Sequence, residues 1–287
     1  MSLTDYIHLI KPRIIPLLLL VALASAFIAE RGMPPYIRLV GLLVSGTLAS
    51  GGALGLNSYL EMDIDARMRR TRKRPLPSGR IVPPRKALTF SLTLLVTGIA
   101  VAYFTLPYIS AFFVALGAFI YVPIYTIWLK PRTIWNIVLG GFAGSCAALA
   151  GWYAVTTSYW EVAALLAALV FVWTPSHFWS LAVITEEDYS AVGMPMLPSV
   201  VGVAKASKAI VFNTLLLIPV SLLLYPYFRG AGSLIYILSA MLFGAFLLYT
   251  NVKLYREPTK SNAWLAFKFS SPYLAVIFII AVIAALV

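Results

Sequence analysis

The stretch that decides the fold runs from Tyr36 to Arg74 and reads YIRLVGLLVSGTLASGGALGLNSYLEMDIDARMRRTRKR. Its first part, Tyr36–Leu60, carries a single charge, Arg38. A run of about 20 mostly apolar residues is what a helix needs to cross a bilayer. The run then meets Glu61, Asp63 and Asp65, followed at once by Arg67, Arg69, Arg70, Arg72, Lys73 and Arg74. A membrane span that ends in a dense polar cluster predicts a polytopic membrane protein with its chemistry at one rim. Charges near membrane depth are costly and usually have a function.

Working outward, eight further apolar runs appear, making nine expected spans: Ile14–Ala29, Tyr36–Leu60, Ala87–Leu106, Tyr108–Trp128, Ile134–Thr156, Trp160–Ile184, Ala206–Tyr227, Ser233–Tyr255 and Trp264–Val287. The composition agrees. Of 287 residues, 61% are hydrophobic and 11% charged, against about 45–50% and about 25% in soluble domains. A soluble globular fold, a disordered chain and a disulfide-built secreted scaffold are excluded. The lone Cys146 allows no internal disulfide and no paired-cysteine haem attachment. The opening MSLTDYIHLIKPR lacks the pattern of a cleaved signal or transit peptide.

The net charge of +12 is read as topology rather than nucleic-acid binding. With the N-terminal side taken as inside, only Arg31, Arg38 and Arg229 fall outside, leaving 19 of the 22 basic residues on one side. That asymmetry predicts a multi-pass protein of the cell membrane with a cytoplasmic N-terminus and an external C-terminus. Eight of the ten acids share the inner side, all but Glu30 and Glu161. An internal echo accompanies them. Lys11-Pro12-Arg13 opens the first span and Lys130-Pro131-Arg132 the fifth, each followed by two spans and an acidic cluster. The expectation is one all-α transmembrane domain, residues 1–287. It would hold two parallel four-helix repeats, about 9–128 and 129–255, and a ninth helix at 264–287.

Asn57, Glu61 and Asp65 are four apart, which stacks them on one helix face. Three converging oxygen donors suit a hard cation, with Mg²⁺ the natural candidate alongside substrate phosphates. Asp63 points off that face in a regular helix. The basic run after it suits a metal-bound polyphosphate, or equally a patch on anionic lipid. Glu186, Glu187 and Asp188 form the second cluster, before Gly193 and Pro195. Glu187 and Asp188 could serve a second metal or orient a substrate, or belong to a solvated turn. His177 precedes Asp188 by about three helical turns. It could touch a large cofactor-like substrate, ligate iron, or simply bond a neighbouring helix.

These strings resemble the UbiA superfamily of intramembrane prenyltransferases. The resemblance is carried by LIKPR at Leu9–Arg13, NSYLEMDIDARMRRTRKRPLPSGRI at Asn57–Ile81 and WLKPRTIWNIVLGG at Trp128–Gly141. WTPSHFWSLA at Trp173–Ala182 and DYSAVGMPMLP at Asp188–Pro198 complete it. Within the superfamily these strings are most similar to the branch that farnesylates haem. There are departures. Glu61 stands where the superfamily has its first aspartate. The second motif lacks two acids four apart, since residues 184 and 192 are Ile and Val. Ala147 and Ala148 stand where prolines are expected.

The resemblance implies transfer of a farnesyl group from farnesyl diphosphate to a vinyl group of haem B, with Mg²⁺ as cofactor. It implies metal ligation by Asn57, Glu61, Asp65 and Asp188, and catalytic roles for Asp63, Asp65, Glu187 and Asp188. Arg67, Arg70, Arg74 and Lys130 would bind the diphosphate, and His177 the haem. The lipid bilayer is the implied setting, and a haem A synthase a downstream partner. Other readings stay open: a UbiA-type enzyme with an aromatic-acid or lipid acceptor, a transporter with parallel repeats, or a haem-binding scaffold.

Overall fold

A computed structural model describes residues 2–287, and among these every regular element is helical. A short helix, α1 (Leu3–Leu9), leads into α2 (Ile15–Glu30) and α3 (Tyr36–Leu60). A brief α4 (Met62–Arg67) and a turn-rich loop follow. The next elements are α5 (Arg85–Thr105), α6 (Tyr108–Phe119), α7 (Asn136–Gly140), α8 (Phe142–Tyr153) and α9 (Trp160–Ile184). Short α10 (Glu186–Ala191) and α11 (Leu197–Val201) precede α12 (Val203–Leu222), α13 (Gly230–Arg256) and α14 (Lys260–Leu286).

Seven of these segments are long and apolar enough to cross a membrane, α6 counted with its continuation to Leu129. The chain is therefore a multi-pass membrane protein. Two of the nine expected spans fall outside these seven. The first, α2, is 16 residues long. The fifth is broken into α7 and α8 at Gly141. The adjacent Gly140 and Gly141 have poor helix propensity, which is the local reason for a break there. Expected boundaries at Tyr36–Leu60 and Trp160–Ile184 match the observed helices.

Helix limits follow local chemistry. Pro35, Pro84 and Pro107 stand at the N-caps of α3, α5 and α6, where a missing N–H costs nothing. The Thr259 hydroxyl caps α14 by accepting from the Asn262 N–H. After Phe119 the chain winds on as a π-helix, Ile120–Leu129, with Pro123 inside it. Proline cannot donate to the preceding turn, and single π segments often sit at functional places. Here the wider turn directs Tyr121, Tyr125 and Thr126 toward the protein interior.

Helices pack through small residues, as expected where lipid replaces water. A Cβ on Gly52 of α3 would lie 2.5 Å from the Leu95 backbone nitrogen of α5. The largest buried cluster joins α2, α8, α9, α13 and α14 through side chains such as Leu166, Tyr236, Leu247 and Phe278. Large apolar side chains on the outer faces, including Leu238, Met241 and Leu242, are exposed for lipid.

Candidate active site

The site begins where α3 ends. Glu61 closes the helix, yet the Glu61 N–H still donates to Asn57 and the Asp65 N–H to Glu61. The four-residue repeat thus survives the junction with α4. Asn57, Glu61 and Asp65 stay stacked on one face, and all three are buried.

Each of the three meets one cation. Lys11 Nζ donates to Asn57 Oδ1 at 2.5 Å. Lys130 Nζ pairs with Glu61 at 2.5 Å. Arg74 pairs with Asp65 at 2.7 Å. Asn57 is oriented from its other end, donating to Thr126 Oγ1 at 3.0 Å. The electrostatics are mutual. Burial alone would raise the Glu61 pKa, but Lys130 and Lys11 outweigh it and hold it below the usual value. Burial would lower Lys130, but Glu61 prevails and keeps it raised. Lys11 lies beside a neutral amide; burial, followed by repulsion from Arg74, brings it down to about 7.

The two rim clusters do come together, through the backbone. Asp188 accepts from the Arg69 and Arg70 N–H groups at 3.1 and 3.0 Å, so both its oxygens tie the loop after α4 to α10. Glu187 is exposed and pairs with Lys260 at 2.6 Å, away from the acid row. Asp63, Arg67 and Arg70 are exposed. Arg80 pairs with Asp5 at 2.9 Å, fastening the same loop to α1.

Several residues of this site were not foreseen. Lys11, Thr126, Tyr121 and Tyr125 all reach it. The signal for Lys11 lay in the doubled Lys-Pro-Arg string: both copies deliver their lysine to the acid row.

Beside the acid row lies an apolar cavity of about 240 Å³, bounded by α2, α3, α6 with its π segment, the broken α7–α8 pair and α9. Ala53 and Leu54 line it about one turn before Asn57, so a single helix face passes from apolar wall to polar head. Tyr121 and Tyr125 form part of the wall, their rings stacked at 5.7 Å. Helix α9 contributes Thr174 and Phe178. His177 on the same helix meets Ser270 Oγ of α14 at 2.5 Å, its ring stacked between Trp173 and Phe267. Of the three uses open to His177, the structure displays the bond to a neighbouring helix.

Among the described residues, no three His, Cys, Asp or Glu side chains cluster closely enough to hold a metal unaided. The donor set nonetheless suits Mg²⁺, which usually takes one or two carboxylates and completes its shell with phosphate and water. Glu61, Asp65 and the Asn57 amide oxygen are such a set.

The UbiA prenyltransferase family matches residues 18–283. The protoheme IX farnesyltransferase of Sulfurisphaera tokodaii is 44% identical, over 100% of this chain and 94% of that protein. Protoheme IX farnesyltransferase 1 of Cenarchaeum symbiosum is also 44% identical, over 97% of this chain and 94% of its own length. Among solved structures, a digeranylgeranylglyceryl phosphate synthase superposes with a TM-score of 0.78 at 18% identity, covering 99% of this chain and 98% of the other. A UbiA homolog from Archaeoglobus fulgidus bound to GPP and Mg²⁺ gives 0.72 at 14% identity, covering 98% and 99%.

Proposed function

Because the chain belongs to the UbiA prenyltransferase family, we propose that it transfers the farnesyl group of farnesyl diphosphate to a vinyl group of haem B, giving haem O. One observation carries this reading beyond the relatives' names. A buried polar row, matched by three cations, caps an apolar cavity along one helix face. A prenyl diphosphate has that same division into charged head and greasy tail.

Asn57, Glu61 and Asp65 would hold Mg²⁺. Bound there, the ion supplies charge neutralisation to the diphosphate. The chain's own cations do the rest. Lys11, Lys130 and Arg74 now sit on the three ligands; in the loaded enzyme they turn toward phosphate oxygens and stabilise charge growing on the leaving group. Arg67 and Arg70 extend this positive field from the rim. Asp188 acts by holding the loop that carries them, and Glu187 by anchoring α10 to α14. Asp63, exposed beside the row, is assigned to the solvent side of the diphosphate.

As the C1–O bond breaks, the allylic cation lies near Tyr121 and Tyr125, whose ring faces are negative. The dry wall keeps stray water from C1. The terminal vinyl carbon then attacks C1. The positive charge left on the inner vinyl carbon takes up water and loses a proton, giving the hydroxyethylfarnesyl group. The cavity is below the roughly 300–1,000 Å³ of drug-sized pockets, so it suits the tail alone and the porphyrin approaches from the lipid side. For His177 we assign a positioning role: bonded to Ser270, it fixes the face of α9 that presents Thr174 and Phe178.

The same reading sets the protein in the cell membrane with its N-terminus cytoplasmic, and its product goes to a haem A synthase. The test is incubation of purified protein with farnesyl diphosphate, Mg²⁺ and haem B, followed by mass analysis of the porphyrin. Appearance of the hydroxyethylfarnesyl product is expected. Unmodified porphyrin, with prenylation of an aromatic acid or lipid alcohol supplied in a parallel incubation, would overturn the assignment.

A further inference from the structure

We propose that Phe113 sets the longest prenyl chain this protein accepts. The inference rests on the donor reading above, with the diphosphate head on the acid row and the tail in the cavity.

The cavity has a far end, away from the acid row. Leu42 lies there, 15 residues along α3 from Asn57, or about 22 Å at the helical rise. The helices around that end are tied to one another. Ser110 Oγ of α6 donates to the Ala150 carbonyl of α8 at 2.7 Å. Arg38 of α3 donates to the Ala154 and Val155 carbonyls at 2.8 and 3.0 Å. The α2 backbone at Ala22 lies so close to Gly151 that a Cβ there would overlap it. Helices α2, α3, α6 and α8 are thus tied together at this level.

That leaves the side chains. Leu42, Phe113, Val114 and Ala150 line this end, and Phe113 is the largest of them. Its ring is held by an almost parallel stack on Tyr153, with centroids 5.5 Å apart and 11° between planes. It also packs against both buried clusters that meet here. Interiors this dense resist small volume changes. A ring clamped in this way is a fixed stop. Ala150 opposite is small, and enlarging it raises the floor from the other side.

The experiment is a competition within one sample. Purified protein receives haem B, Mg²⁺ and equal amounts of geranyl, farnesyl and geranylgeranyl diphosphate, and the prenylated porphyrins are quantified by mass. The wild type should yield the farnesyl product in large excess. Phe113→Ala should move the farnesyl-to-geranylgeranyl ratio at least tenfold toward geranylgeranyl. Phe113→Leu and Tyr153→Leu should move it less, in the same direction. Ala150→Leu should shift preference from farnesyl to geranyl. Because the readout is a ratio, loss of folded protein cancels, and Phe113→Leu decides if the alanine variant does not fold. A wild type that uses farnesyl and geranylgeranyl diphosphate equally, or variants that all keep the wild-type ratio, overturns the proposal. A wild type that transfers no prenyl group from any diphosphate is a different result, and overturns the donor reading instead.

Discussion

At the scale of single residues, the site is a row of polar groups, each bonded to one basic side chain. Asp65 is buried and bonded to Arg74, which keeps partial access to water. Asp65→Ala should leave the fold intact, because the arginine can turn to solvent, yet lower prenyl transfer by at least 10³-fold. Turnover of the purified variant checks this. Lys11→Met removes the cation beside Asn57; the cost of losing one such stabiliser is about 10²–10³-fold in kcat, read against an unchanged melting temperature. His177→Ala and Ser270→Ala share one hydrogen bond. Both should lower thermal stability by a similar amount, and the double variant should cost little more than either. A loss of haem affinity confined to the histidine variant would instead place His177 at the porphyrin. The acid row itself was legible in the sequence because its spacing of four survives the end of α3. Lys11 was not, because its partner lies 46 residues away and no local periodicity encodes that pairing.

At the scale of elements, the loop after α4 is held at three corners: by Asp65 from α4, by Asp188 from α10 and by Asp5 from α1. Asp188→Ala frees two backbone N–H groups and one corner. Limited proteolysis should then cut within Arg67–Arg74 at least several-fold faster, and the KM for the diphosphate should rise more than kcat falls. The long apolar helices were readable from composition and length, and two of them to the residue. The π segment and the break at Gly141 were not. Pro123 and the Gly140–Gly141 pair are visible in the string, but whether such residues bend, widen or split a helix depends on what packs against them. Here the Tyr125 ring lies where a Gly140 side chain would stand. The cavity follows from those irregularities, so it too was hidden.

At the scale of the molecule, charge sidedness makes a topological prediction. Cys146 is buried, so a Cys146→Ser background allows single reporters. Ser78→Cys, in the exposed loop after α4, should react with an impermeant thiol reagent only from the cytoplasmic face of oriented vesicles. Arg229→Cys, exposed before α13, should react only from the opposite face. Labelling of both from one side would reverse the odd-span topology inferred from the basic residues.

The spacing of the ion pairs along the chain has a consequence for synthesis. Asp65 and Arg74 are nine residues apart and leave the ribosome almost together. Glu61 and Lys130 are 69 apart. At about 5–20 residues per second, Glu61 waits roughly 3 to 14 seconds for its partner, with α5 and α6 entering the membrane in between. During that interval its carboxylate has only nearby basic side chains and the wet membrane surface for company. The clustered arginines that later face a diphosphate are thus also an escort, keeping the unfinished rim at the interface until the second lysine arrives.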